Sequence, residues 1–173
     1  HGTGVNLKNF LAQPDARVLA VCDVDTQRRN RARDMINAQY KNQDCGSYND
    51  FREILSRSEI DAVMISTPDQ WHVPISLAAA RAGKDICCEK PTLTINEGKV
   101  LCETIRRYGR VFQMSTEDRS LYVYHRMAEL VRNGRIGKLQ TIHVGLPAGW
   151  SKNGKGRSAN KPEPVPEGFD YDM

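Results

Sequence analysis

The chain has 173 residues, 39% hydrophobic and 27% charged, with 25 Lys and Arg against 21 Asp and Glu for a net charge of +4. That length suits one domain, or one domain with part of another. The basic residues are scattered, with no basic stripe and no interleaved aromatics, which argues against nucleic-acid binding; no run reaches the ~18–20 apolar residues of a membrane span.

The chain opens HGTGVNLKNFLAQPDARVLAVCDVD. A glycine-rich segment leads into a helix carried by Leu7, Phe10 and Leu11, and then into an apolar strand that ends in acids. In a full dinucleotide-binding unit a strand precedes G-x-G-x-x-G, and an acid follows by ~20 residues. Gly2 stands where the last fingerprint glycine belongs, Gly4 is an extra small residue beside it, and Asp23 is the acid. Without that context Asp23 reads as a solvated strand-end acid. The opening strand and first two glycines of such a unit are expected to precede His1, and the N-terminus reads as cut.

The apolar run in residues 16–25 recurs as DAVMISTPD (61–69) and KDICCEKP (84–91), and more weakly as RVFQMST (110–116). Such runs suit parallel strands buried on both faces. Helical patterns lie between them. Ala32, Met35, Ile36 and Tyr40 mark one face, and Ile75, Leu77, Ala78 and Ala79 mark another that Gly83 closes. Asp50 with Glu53 and Thr94 with Glu97 read as capping boxes, and Gly109 stops the last helix. Alternation of this kind implies right-handed crossovers. The expected fold is α/β, a Rossmann-type doubly wound parallel sheet whose first strand lies outside this chain.

Composition changes after Thr116. Residues 120–133 read as a helix with Leu121, Tyr124, Met127, Ala128, Leu130 and Val131, and KLQTIHVGLP (138–147) reads as a half-exposed strand of another sheet. From Ala148 a long Gly-, Pro- and Lys-rich loop follows. Residues 1–117 are therefore assigned to the nucleotide-binding domain and 118–173 to the start of an incomplete second α+β domain.

Five cysteines form no CxxC pair, and adjacent Cys87 and Cys88 point to opposite faces of a strand, so no metal site is expected. Charge at a buried strand's end is expensive without a task or a partner, which makes the Glu89-Lys90 pair after Cys88 conspicuous. Taken alone, it is a surface ion pair.

Together, AVCDVD, IDAVMISTPDQWHVPISLAAARAGKDICCEKPTLT and ELVRNGRIGKL resemble the Gfo/Idh/MocA family of nicotinamide-dependent oxidoreductases. The ordered set STP, WH and EKP is the most specific part. The resemblance implies that Lys90 is catalytic, polarising the substrate oxygen beside the nicotinamide, with Glu89 on the cofactor ribose and a Lys90–Pro91 bond that is often cis. It implies further cofactor contacts from Ser66, Thr67, Pro68 and His72, and from Gln113 at the end of the last strand; His72 read alone is a packing or capping residue. Arg119 and Trp150 are implied weakly on the substrate side, with Trp150 equally readable as a loop anchor. The acid at Asp23 favours NAD over NADP, although Arg28 and Arg29 nearby act to blunt that preference.

The resemblance implies a dehydrogenase acting on a sugar, polyol or related hydroxyl compound. Its second acid/base pair and homo-oligomer interface lie in the family's larger C-terminal domain, so this chain alone is expected to be inactive. Two other readings stand beside it: an NAD-dependent glycosidase working by transient oxidation and elimination, which the lysine of EKP disfavours, and a non-enzymatic dinucleotide-binding module. The tail PEPVPEGFDYDM resembles an often exported subgroup, while the unpaired cysteines suit the cytoplasm, and localisation stays open.

Overall fold

A computed structural model describes residues 2–145 and 164–173. A helical turn, Gly2–Asn6, leads into α1 (Leu7–Leu11), β1 (Ala20–Cys22), α2 (Thr26–Tyr40), β2 (Gly46–Tyr48), α3 (Phe51–Leu55), β3 (Ala62–Ile65), α4 (His72–Arg81), β4 (Asp85–Glu89), α5 (Ile95–Tyr108), β5 (Phe112–Ser115) and α6 (Tyr122–Arg132). All strand pairings are parallel, β1 with β2 in one sheet and β3-β4-β5 in another. The fold is the expected Rossmann-type α/β arrangement, in which helices return the chain so that consecutive strands run in the same direction.

Local chemistry accounts for the element boundaries. Asp25 caps α2 by accepting from the Gln27 and Arg28 amides. Thr94 and Glu97 form the anticipated reciprocal box at the start of α5, and Gly109 closes it in the left-handed region at φ 60°. The Asp50–Glu53 box does not form. Asp50 accepts instead from the Arg52 amide, which already satisfies the donor nearest its short side chain. Strand β2 was not anticipated, because three residues beginning with glycine carry no readable period.

The main cluster joins Leu55, Ile65, Ile75, Ala79, Ala80, Ile86 and Cys88. Ala79 and Ala80 are fully buried, so α4 lies close against the strands that flank it. Burying a residue such as Ile65 or Ile86 contributes about 1.5–3 kcal/mol. Lys84 is also buried, and its ammonium donates to the Arg57 carbonyl at 2.5 Å and the Ile60 carbonyl at 2.7 Å.

The chain divides into two units, His1–Ser115 with Val165–Met173, and Thr116–Pro164. The tail from Val165 thus clusters with the first unit, whereas composition assigns it to the second domain. In the second unit α6 forms as expected but buries none of its residues. Residues 138–145 are exposed and form no strand, contrary to their alternating pattern; among the described residues no strand pairs with them. Residues 146 and 147 of that pattern, and Trp150, lie outside the described residues.

Candidate functional site

Parallel strands bring their carboxyl ends to one edge, where this class of fold places ligands. At that edge β4 ends on half-buried Glu89, followed by exposed Lys90 and a cis bond to Pro91. Glu89 Oε1 accepts a hydrogen bond from Asn6 Nδ2 at 2.5 Å, and the same amide donates to Ser66 Oγ at 2.9 Å. Asn6 is the last residue of the Gly2–Asn6 turn, and Ser66 follows β3 directly. One side-chain amide therefore ties the first helical turn to the ends of both strands. A Cβ at Gly2 would fall 3.1 Å from Ser66 Cβ, so a side chain there would have to displace Ser66 by a few tenths of an ångström.

Behind Glu89 and Lys90 sits His72, 2% exposed at the start of α4. Its Nδ1 lies 2.9 Å from the Pro91 carbonyl oxygen and its Nε2 lies 2.9 Å from the Thr67 carbonyl oxygen. Both ring nitrogens face backbone carbonyl oxygens, so the nitrogen that carries the proton donates to its turn and neither nitrogen is presented to a ligand. The Thr67 hydroxyl is buried without a hydrogen-bond partner among the described residues.

At the end of β1 the Asp23 amide donates to the Tyr48 carbonyl at 3.3 Å. Its Oδ1 accepts from the Asp25 amide at 2.9 Å, and among the described residues Oδ2 has no hydrogen-bond partner. The two neighbouring arginines differ. Arg28 extends outward and pairs with Asp25 at 3.3 Å, whereas half-buried Arg29 turns inward and donates to the Asp23 carbonyl at 2.6 Å.

The structure thus brings Gly2, Ser66, Glu89 and Lys90 together and sets Thr67 and exposed Pro68 in the adjoining turn. Gly4 is exposed, with open space where a Cβ would stand, and nothing in its surroundings requires glycine. Gln113 does not end the last strand. β5 runs on to Ser115, which registers with Glu89, while Gln113 registers with Cys87. Arg119 lies in the second unit with an exposed side chain. Sequence reasoning overlooked Asn6; its one signal is an amide side chain four residues beyond Gly2, one helical turn away.

Two thiols near this edge are held protonated. Burial, reinforced by Asp23 and Asp50, raises Cys22 to about 11, and burial raises Cys88 to about 11. Neither is a nucleophile at neutral pH. Among the described residues no group of three or more His, Cys, Asp or Glu side chains is placed to hold a metal ion, and no helix is long and apolar enough to cross a membrane.

These residues fit a dinucleotide. The Gly2 turn offers backbone without a side chain at the strand edge, Asp23 keeps a carboxylate oxygen open, and the Glu89-Lys90 pair stands at the end of β4. Residues 3–116 match the oxidoreductase family with NAD-binding Rossmann fold, GFO_IDH_MocA. The chain belongs to that family. Among its GFO_IDH_MocA relatives is inositol 2-dehydrogenase 2 of Saccharopolyspora erythraea, 33% identical over 130 residues that cover 74% of this chain and 37% of that protein. A glycosyl hydrolase family 109 protein of the same organism is 34% identical over 109 residues, covering 58% of this chain and 23% of that protein. The crystal structure of scyllo-inositol dehydrogenase from Lactobacillus casei with bound NAD(H) and scyllo-inositol superposes with a TM-score of 0.66 at 25% identity, covering 76% of this chain and 38% of that one. The chain therefore spans well under half the length of these relatives.

Proposed function

We propose that this chain is the nucleotide-binding part of an NAD-dependent dehydrogenase acting on a hydroxyl carbon of a sugar, polyol or related compound. The observation that carries the reading is the junction of Asn6, Ser66 and Glu89 beside Lys90, at the carboxyl edge of a parallel sheet. The inositol dehydrogenases among the relatives and solved structures support the substrate class.

Bound NAD supplies the hydride acceptor. The chain's own residues bind and orient. The Gly2 turn and the Ser66-Thr67-Pro68 turn hold the nucleotide, and Asp23 accepts from the adenosine ribose hydroxyls. That carboxylate repels a 2′-phosphate, which favours NAD over NADP. Glu89, fixed by Asn6, faces the nicotinamide-side ribose. Lys90 hydrogen-bonds the substrate oxygen and stabilises the alkoxide formed as the hydroxyl proton is released to solvent; that charge then collapses into the carbonyl as hydride leaves the carbon. His72 donates to a carbonyl of the turn its protonated nitrogen faces.

Calorimetric titration of NAD and NADP tests the binding half. NAD is expected to bind more tightly, with the difference lost in Asp23→Ala; binding of neither nucleotide removes the reading. In the full-length protein, Lys90→Ala is expected to lower turnover by about 10²–10⁴ while NAD still binds. The family 109 relative supports a second reading, glycoside cleavage with catalytic NAD. Release of aglycone from a chromogenic glycoside without net NADH would establish it over the first.

A further inference from the structure

The tail from Val165 docks where β1 hands over to α2. Phe169 forms an antiparallel bridge with Asp25. The Thr26 amide donates to the Gly168 carbonyl at 2.9 Å, and the Asp170 amide donates to the Val24 carbonyl at 3.0 Å. Gly168 has φ +79°, a conformation that side chains rarely adopt, so the bend that delivers Asp170 depends on glycine.

Asp170 then reaches across to Asn49. Asn49 Nδ2 donates to Asp170 Oδ2 at 2.6 Å, and Asn49 Oδ1 accepts from Arg29 Nη1 at 2.9 Å. A carboxylate only accepts and a guanidinium only donates, so this amide has a single orientation compatible with both neighbours. Arg29 Nη1 also donates to the Asp23 carbonyl at 2.6 Å, and Nη2 donates to Thr26 Oγ1 at 3.3 Å. Three acceptors thus fold the guanidinium back under the very turn that carries Asp23. An arginine near this turn accommodates a 2′-phosphate. Arg28 points outward but is paired with Asp25 at 3.3 Å, so Arg29 is the one whose orientation is set by contacts from outside the turn.

We propose that Asp170 is a specificity-determining residue for the nucleotide: through Asn49 it keeps Arg29 turned away from the adenosine ribose, so that the site accepts a 2′-hydroxyl and rejects a 2′-phosphate. This rests on the dinucleotide reading above. Asp170 is a positioning residue and touches no nucleotide itself. Without it the Asn49 amide is free to rotate and Arg29 loses an acceptor. A guanidinium so released forms a stronger, charge-assisted pair with phosphate than with a neutral carbonyl.

The test is calorimetric titration of NAD and of NADP into the full-length protein and its Asp170→Ala and Asn49→Leu variants, each with and without Arg29→Gln. Asn49→Leu retains the Asp170 charge and so separates positioning from simple loss of a negative charge. Each single variant is expected to raise NADP affinity relative to NAD by about tenfold, the worth of one hydrogen bond to a charged group. With Arg29→Gln present, the Asp170→Ala change is expected to leave the ratio where Arg29→Gln alone sets it. An unchanged ratio, an equal loss of both nucleotides, or a shift that persists without Arg29 overturns the proposal while leaving the nucleotide site standing. Failure of the unaltered protein to bind either nucleotide removes the site itself, and the proposal with it.

Discussion

Strand β4 and residues 138–145 both place apolar side chains among polar ones, and they end in opposite states. In β4, Ile86 and Cys88 are 3% and 2% exposed, and the strand is bonded to β3 on one side and β5 on the other. In the second unit, Ile142 and Val144 are 71% and 78% exposed, and no strand is present there. The difference lies outside either segment. A strand satisfies its amides and carbonyls only through a neighbour, and period-2 alternation says which side chains would be buried without supplying what buries them. Helix α6 makes the same point from the other side: its hydrogen bonds are internal, so it forms while Tyr124, Met127 and Val131 stay exposed.

The largest expected effects break the first region and spare the second. Ile86→Ala removes packing from the centre of the main cluster and is expected to destabilise the first unit by about 2–5 kcal/mol, read as a lowered urea midpoint. Ile142→Ala, an equal deletion, should stay within about 0.5 kcal/mol. Comparable losses at the two positions would mean that residues 138–145 bury their apolar side chains in solution.

The loop between α3 and β3 supplies the next test. Lys84→Met keeps the aliphatic stem and removes the ammonium from the carbonyls of Arg57 and Ile60. About 1–3 kcal/mol should be lost, since the buried Ile60 carbonyl is left unpaired while the Arg57 carbonyl keeps the Ile60 amide at 3.4 Å. A neutral result would show that water reaches the Ile60 carbonyl. Smaller again is Thr94→Ala, which opens the box at the start of α5 and should cost about 1 kcal/mol by the same measurement.

These cases show what the sequence can carry. The runs that became β1, β3, β4 and β5 were readable as dense apolar stretches between helical patterns. Burial on both faces is not what the fold shows: only alternate residues of β4 are buried, and none of β1 or β5 is. The Thr94–Glu97 box was readable because both partners lie within one turn. Asn6 was not, because its partners Ser66 and Glu89 are 60 and 83 residues away and only the folded sheet edge joins them. Lys84 was not, because a lone lysine before a strand gives no sign that two carbonyls await it. The Asp170–Asn49 bond spans 121 residues and is invisible for the same reason. For the site, motif order reached Glu89 and Lys90 directly, while the groups that hold them in place appear only in three dimensions.

The last test sharpens the comparison electrostatically, because every cysteine of the chain lies in the first unit. Burial raises the Cys22 and Cys88 thiols from 9.0 to about 11 in the folded chain. Below pH 9 folded and unfolded chains both keep these protons, and the contribution to stability is fully present. Between pH 9 and 11 the unfolded chain releases them first, so the folded state binds more protons and stability falls as pH rises. Lysines and tyrosines also titrate in that range, so the informative quantity is a difference between proteins. Urea unfolding at pH 8, 9.5 and 10.5 should show a shallower decline for Cys22→Ala/Cys88→Ala than for the unaltered chain. Parallel declines would place both thiols within reach of water, and the strands that carry them would then be more open than their packing indicates.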